Sequence, residues 1–201
     1  VDEESFSARE KEASADIGKT IALEYEGLSK EVAEAHKIML IYQHDLEKAI
    51  YGVHNCLNLY FQYIFKHGFK TRNGDVRPPK SFSTACQLVA VAFQCQSQVQ
   101  FGGVGTIHLD YDLAPFVRMS FSKHFKEGLK WVEHESEEYI NHVPDLIGIE
   151  DKEAKYHTEA YKYAMEMLEK EGSQSAQGLY HNLNTLESRQ GSQVPFTSIN
   201  L

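Results

Sequence analysis

The 201-residue sequence lacks the long apolar runs, leader features and basic excess that mark several classes of protein. No stretch approaches the roughly 20 consecutive apolar residues of a membrane-spanning helix. The acidic start, Val1 to Glu4, is unlike the basic and then apolar start of a secretory signal. The sequence has 20 basic and 29 acidic side chains, which gives a formal net charge of −9. A net negative charge repels polyanions such as nucleic acids. We therefore expect a globular cytoplasmic protein with neither a membrane nor a nucleic-acid polymer as partner.

Paired cysteines and metal-binding motifs are also absent. The three cysteines, Cys56, Cys86 and Cys95, are odd in number and lack CxxC spacing, which favours reduced thiols over a disulfide framework or a zinc knuckle. The ten histidines form neither an HExxH motif nor a His-x-His cluster, so we predict no metal site. The glycines at 102, 103 and 105 lack the spacing of a dinucleotide fingerprint and are interpreted as a helix stop and a tight turn.

The sequence does contain several segments with helical spacing. Ser29 is a candidate N-cap for a short helix over 30–37, and Ser81 or Ser83 for a long helix that runs from Ser81 to Phe101. Further helices are predicted from Asp110 toward Gly128, over 152–170, and over 176–186, with a break at Gly172.

The two ends of the chain carry different signals. Residues 1–18 are polar and are predicted either to fray or to serve as a connector from an upstream segment, with 19–201 as a partial catalytic barrel domain. Residues 193–201 have strand composition, and the sequence stops within that apolar pattern. An unpaired apolar strand is a costly place for a domain to end, so we expect a fragment of a longer chain.

Two features could carry chemistry. Cys56 lies between polar His54-Asn55 and apolar Leu57, where a thiol could border a cavity, although a structural role is the alternative. Cys86 and Cys95 fall on or near an apolar helix face, which is typical of core cysteines. Arg77 to Ser81 places two cations and a hydroxyl before a helix whose first amides could receive a phosphate, with simple capping as the alternative.

Six short segments, taken in their order and spacing, resemble the catalytic subunit of the anaerobic, class III ribonucleoside-triphosphate reductases. The resemblance covers about 19–201. The segments are His54-Asn55-Cys56-Leu57; Gly68-Phe69 with Gly74; Arg77-Pro78-Pro79-Lys80-Ser81 through Ala85; Gln100-Phe101-Gly102-Gly103; Asp110-Tyr111-Asp112-Leu113-Ala114-Pro115; and Asn184 through Asn200.

The resemblance implies an α/β fold: the first, helix-rich part of the ten-stranded barrel of glycyl-radical enzymes, working as a homodimer. It implies reduction of ribonucleoside triphosphates to 2′-deoxyribonucleoside triphosphates for DNA synthesis, with formate as the reductant and ATP or deoxynucleoside triphosphates as effectors. The family's glycyl radical, which a separate S-adenosylmethionine-dependent activase installs, belongs to a segment that this sequence does not contain. The chain by itself is therefore expected to be catalytically inactive.

The resemblance also implies roles for individual residues. Cys56 matches the family cysteine on an early barrel strand that faces the side of the sugar from which the 2′-hydroxyl leaves. Residues expected near the substrate are Asn55, Thr197, Ser198 and Asn200. Lys80 and Gln94, at the long helix, are candidates for effector binding. Two other functions stay open, a non-catalytic helical interaction module and a nucleotide-binding regulatory module.

Overall fold

A computed structural model describes residues 6–25, 27–50, 56–71, 74–100, 102–188 and 193–200. The helices are α1 Phe6–Glu24, α2 Lys30–Lys37, α3 Phe61–His67, α4 Phe82–Ser97, α5 Leu109–Trp131, α6 Glu137–His142, α7 Lys152–Tyr156 and α8 Thr158–Thr185, with a 3-10 helix at Leu46–Lys48. The strands are β1 Leu57–Asn58, β2 Phe69–Thr71, β3 Gly74–Val76, β4 Val104–Thr106 and β5 Thr197–Ile199. The fold is α/β with helices predominating. Among these described residues, no helix has the length and apolar character that a bilayer crossing requires.

The larger sheet is parallel, with β4 between β1 and β5. Leu57 is in register with Val104, which is in turn in register with Thr197. One position along, Asn58, Gly105 and Ser198 share a register. β2 and β3 form a separate antiparallel ribbon. The sheet therefore joins three segments that are far apart in the sequence.

Two apolar clusters hold the helices together, and α8 packs along both α4 and α5. The first cluster lies between the sheet and the helices, and combines Val104 and Leu57 with Val89 and Phe93 of α4. The second is built around Phe121, Phe125 and Leu129 of α5, with Ile147 and small residues of α7 and α8. One face of the sheet is thus covered by helices.

Several sequence predictions about helices are confirmed. Helix α2 spans the predicted residues, and Ser29 Oγ accepts a hydrogen bond from the Val32 amide at 3.3 Å. Ser81 caps α4 by accepting from the Thr84 amide at 3.2 Å. Strand β5 lies within the stretch of strand composition.

The structure differs from several predictions about element boundaries; α4, for example, ends at Ser97 and not at Phe101. The expected fraying does not occur from Phe6 onward, because these residues form α1, which packs against the Leu46–Lys48 3-10 helix; the connector role stays a prediction. Gly172 does not break the helix, since α8 continues through it with packing against α4 and α5 to offset the glycine cost. Gly105 is not part of a tight turn, because it lies in the central strand β4.

The helix pair α5 and α8 is in unusually close contact at Gly128. A Cβ placed on Gly128 would lie 2.9 Å from both the Cα and the carbonyl oxygen of Ala160. Those atoms belong to backbone and cannot swing away as a long side chain would. Glycine is therefore required at this position by space.

Glu171 of α8 links the start of α4 to the middle of α5. Its Oε1 accepts hydrogen bonds from the Ser83 amide at 3.1 Å and from Ser120 Oγ at 2.9 Å, and its Oε2 accepts from His124 Nε2 at 2.9 Å. Burial alone would raise the pKa of the Glu171 carboxyl, but the hydrogen bonds from His124, Ser83 and Ser120 together hold this pKa below its usual range. The folded state therefore favours the charged carboxylate.

Replacing Gly128 with alanine should lower the free energy of unfolding by about 1–3 kcal/mol, because the added methyl forces α5 and α8 apart. Gly172→Ala is the matched control, since nothing lies within 4 Å of a Cβ at that position. It should stabilise α8 by roughly 0.5–1 kcal/mol. Urea denaturation followed by circular dichroism measures both, and equal midpoints for the two variants would contradict the close contact.

Glu171→Gln should lower the free energy of unfolding at pH 7 by about 1–3 kcal/mol, because three donors lose a charged acceptor. A lowered folded-state pKa stabilises the protein above the ordinary glutamate range and ceases to do so as the pH falls through the folded value. The difference between wild type and variant should therefore narrow in acid. Urea denaturation over a pH series measures this difference in free energy of unfolding, with the exposed Glu169→Gln as control. A difference that stays constant with pH would disprove the role of the charged Glu171 carboxylate.

Candidate active site

The open face of the parallel sheet carries the candidate site. Side chains alternate between the two faces of a strand. Leu57 packs into the helical core, so its neighbours Cys56 and Asn58 point to the other side, where both are exposed. Ser198 shares the register of Asn58 and is also exposed. The thiol, the amide and the hydroxyl therefore belong to the same face.

A pocket of about 410 Å³ opens on this face. This volume lies within the range of roughly 300–1,000 Å³ that is typical of small-molecule sites. Its lining is formed by Cys56, Leu57, Asn58, Gly103, Val104, Gly105, Phe196, Thr197 and Ser198. Among the residues that the structure describes, this lining contains no charged side chain. The pocket suits a small polar group that is itself uncharged.

Cys56 immediately precedes β1 and is exposed. The Gly103 amide donates a hydrogen bond to its Sγ at 3.3 Å. Because the sulfur is the acceptor, this bond does not consume the thiol proton, and it fixes the sulfur beside the strand that forms the pocket floor. Cys56 is therefore not sealed within an apolar interior.

The other predicted substrate residues are placed differently from one another. Ser198 lies on the Cys56 face, whereas Thr197 shares the register of Val104 and belongs to the opposite face, although both border the pocket. Asn200 does not line the pocket; its amide donates to the Thr106 carbonyl at 3.1 Å, which extends the β4–β5 pairing. Asn55 lies outside the described residues.

Sequence reasoning missed Asn58. The available signal was its position two residues after Cys56, because residues i and i+2 of a strand share a face. The many apolar and aromatic residues between 57 and 65 hide this alternation. Asn58 joins Cys56 as a lining residue of the pocket.

The two predicted effector residues are not brought together. Lys80 is exposed just before α4, while Gln94 is near the other end of that helix, roughly 20 Å away at 1.5 Å per residue. Gln94 Nε2 donates to the Asn182 carbonyl at 3.3 Å, a contact between α4 and α8. The structure therefore gives Gln94 a packing contact within the chain.

The start of α4 offers no amide to a phosphate. The Phe82 amide donates to Ser120 Oγ at 3.0 Å, the Ser83 amide to Glu171 Oε1 and the Thr84 amide to Ser81 Oγ. A carboxylate therefore already occupies the position where a phosphate would bind. Of the two interpretations of Arg77 to Ser81, the geometry favours capping.

A cluster of possible metal ligands occurs where α5 approaches α8. Ligand atoms of Glu133, Glu135 and His157 lie within 4.8 Å of one another. His157 Nδ1 donates to Glu133 Oε2 at 2.5 Å, and the Ala160 amide donates to Glu133 Oε1 at 2.9 Å. The Tyr139 hydroxyl lies 2.8 Å from His157 Nε2. These bonds give the cluster a structural role as the cap of α8, which sequence spacing did not reveal.

Cys86 belongs to the helical core, as predicted, whereas Cys95 is a member of neither apolar cluster. Cys86 is 2% exposed within α4, and burial, assisted by the negative charge of Glu171, raises the pKa of its thiol to about 11. Cys95 is half-buried on the same helix. Neither residue lines the pocket.

Comparison with known proteins gives one consistent family. A family model described as anaerobic ribonucleoside-triphosphate reductase matches residues 1–201. The chain is 31% identical over 173 residues to the anaerobic ribonucleoside-triphosphate reductases of Haemophilus influenzae and Salmonella typhimurium, which covers 85% of this chain and 21% of each relative. The enzyme of the same name from Enterobacteria phage T4 is 25% identical, over 84% of this chain and 24% of its own length. The chain thus spans about a fifth to a quarter of the length of these relatives.

The contrast between the thiols predicts an order of chemical modification. Under native conditions iodoacetamide should alkylate Cys56 first and Cys86 last, because alkylation needs an accessible thiolate. Peptide mass spectrometry over a time course measures the order, and a urea-unfolded sample, in which the three rates should converge, is the control. Native labelling of Cys86 as fast as Cys56 would contradict the described core.

Proposed function

The chain belongs to the anaerobic ribonucleoside-triphosphate reductase family, and we propose that it forms the sugar-binding wall of an enzyme that reduces ribonucleoside triphosphates to 2′-deoxyribonucleoside triphosphates. The observation that carries this proposal is the exposed Cys56 thiol, at the family's cysteine motif, on the rim of an uncharged pocket. The activity belongs to the longer proteins named above, of which this chain matches one part.

The sheet supports a place in a larger barrel. Parallel sheets are usually covered on both faces. Here helices cover one face, and the other carries the pocket. We infer that β1, β4 and β5 belong to the ten-stranded barrel of glycyl-radical enzymes, with the open face toward the barrel interior. In this arrangement the 201-residue chain is one wall of the site and is inactive on its own.

Cys56 has two chemical tasks in this proposal. Loss of the 2′-hydroxyl as water needs a proton donor within hydrogen-bond reach, and a neutral thiol can provide that proton. A thiol can also give up a hydrogen atom, which a serine hydroxyl does far less readily because its O–H bond is stronger. The Gly103 amide holds the sulfur in place without using its proton.

Other components come from outside the described residues. A glycyl radical, when installed by an S-adenosylmethionine-dependent activase, supplies the hydrogen abstraction that starts the reaction, and formate supplies the electrons. Within this chain, the exposed thiol fits such chemistry because it borders a cavity open to another segment. We also propose a cytoplasmic homodimer regulated by ATP and deoxynucleoside triphosphates.

The competing functions receive less support from the geometry. A phosphate site at Arg77 to Ser81 would meet the Glu171 carboxylate and occupied amides. A purely structural helical module would not need an exposed thiol at the rim of a pocket. Substitution of Cys56 separates the catalytic function from both alternatives.

In the full-length activated reductase, Cys56→Ala and Cys56→Ser should each lower kcat for CTP reduction by roughly 10²–10⁴-fold. Alanine donates neither a proton nor a hydrogen atom, and serine keeps a proton donor but does not readily donate a hydrogen atom. Cys95→Ser is the matched control, since Cys95 lies outside the pocket, and it should turn over normally. The measurement is dCTP formed with activase, S-adenosylmethionine and formate. Normal turnover by folded Cys56→Ala would refute the proposed function.

A further inference from the structure

Asn58 and Gly105 face each other on neighbouring strands of the open sheet face. They are in direct register, and both line the pocket with Cys56. A Cβ built on Gly105 would run into Asn58 Oδ1. The amide of Asn58 therefore occupies the space that any larger residue at 105 would fill.

The glycine at 105 is explained by this contact and not by its backbone. Its φ lies outside the left-handed region that favours glycine. The next nearest atom to a built Cβ, the Ser198 carbonyl oxygen, is 3.4 Å away, which is ordinary contact. A larger residue at position 105 would therefore have to displace the Asn58 side-chain amide.

Folding alone does not account for this pair. Asparagine and glycine are both depleted in strands, and glycine at a central strand weakens it. Within the described residues, the Asn58 amide makes no hydrogen bond, and its side chain is exposed. Places where a sequence breaks local preference without a structural gain are expected to be functional.

An amide at this point has the chemistry to bind a sugar. Asparagine offers both a donor and an acceptor, so it can pair with a hydroxyl in either role. The lining around it is uncharged, and the Cys56 side chain, two residues earlier, lies on the same face. A hydroxyl bound by Asn58 would be held beside the thiol.

We propose that Asn58 is a substrate-positioning residue: its amide, held over Gly105, hydrogen-bonds a ribose hydroxyl and orients the sugar toward the Cys56 thiol. This inference rests on the proposed function. It assigns Gly105 an indirect role, since the absence of a side chain at 105 leaves the space that the amide occupies.

The test is a double-mutant cycle in the full-length activated enzyme. Asn58→Ala and Gly105→Ala should each lower kcat/KM for CTP by about 10- to 100-fold, mainly through kcat, because a misplaced sugar reacts slowly. The double variant should be no worse than either single variant, since both remove the same contact. Full additivity, or normal kcat/KM for Asn58→Ala, would overturn the proposal.

Controls separate positioning from folding. Asn184→Ala and Gly172→Ala, on exposed or open positions of α8, should leave kcat/KM unchanged. If Gly105→Ala lowers the thermal midpoint through its clash with Asn58, then adding Asn58→Ala should restore that midpoint. Failure to restore it would show that the alanine acts on the backbone, and would overturn the proposed contact between Asn58 and position 105. A Cys56→Ala arm identifies the level of failure: inactive Cys56→Ala with fully active Asn58→Ala refutes the positioning role alone, and active Cys56→Ala refutes the proposed function as well.

Discussion

The backbone of β4 is the element on which the site depends, because it pairs with a strand on each side. The Leu57 and Leu59 amides donate to the carbonyls of Gly103 and Gly105 at 3.1 and 2.8 Å. On the other edge, the Val104 amide donates to the Phe196 carbonyl at 2.8 Å. A shift of one residue in either register would turn every side chain of that strand to the other face. These bonds therefore decide that Cys56, Asn58 and Ser198 point into one pocket.

Side-chain hydrogen bonds from residues at the end of α4 and just after it hold the segment before β4. Buried Gln100 donates to the Gly103 carbonyl at 2.8 Å, and Gly103 is the residue whose amide binds the Cys56 sulfur. Ser97, at the end of α4, bonds to Ser188 after α8 at 2.8 Å. Gln96 Nε2 of α4 donates to Gln100 Oε1 at 2.9 Å, so hydrogen bonds connect α4 through Gln100 to Gly103, the residue that binds the thiol. Such support keeps reacting groups in place before a substrate arrives.

The sequence predicted the parts of the fold that local signals specify. Serine caps at Ser29 and Ser81 and the apolar face of α4 have a direct local cause, and the family motifs located Cys56. The sequence did not predict the continuous α8, because its packing against two helices outweighs the local effect of Gly172. Nor did it predict the Glu133–His157 cap, since those residues meet only when α5 and α8 fold together. Long-range packing is the common cause of both differences.

The open face of the sheet was the part hardest to predict, because its residues do not show the pattern of a solvated sheet face. A solvated sheet face usually carries charged residues, whereas this one presents a thiol, an amide, a hydroxyl and two glycines without a charge among them. Such a lining can bind hydroxyl groups but has no cation to bind a triphosphate. If the substrate is a nucleoside triphosphate, its phosphates bind to residues other than the described lining, and an uncharged part, such as the sugar, contacts this wall.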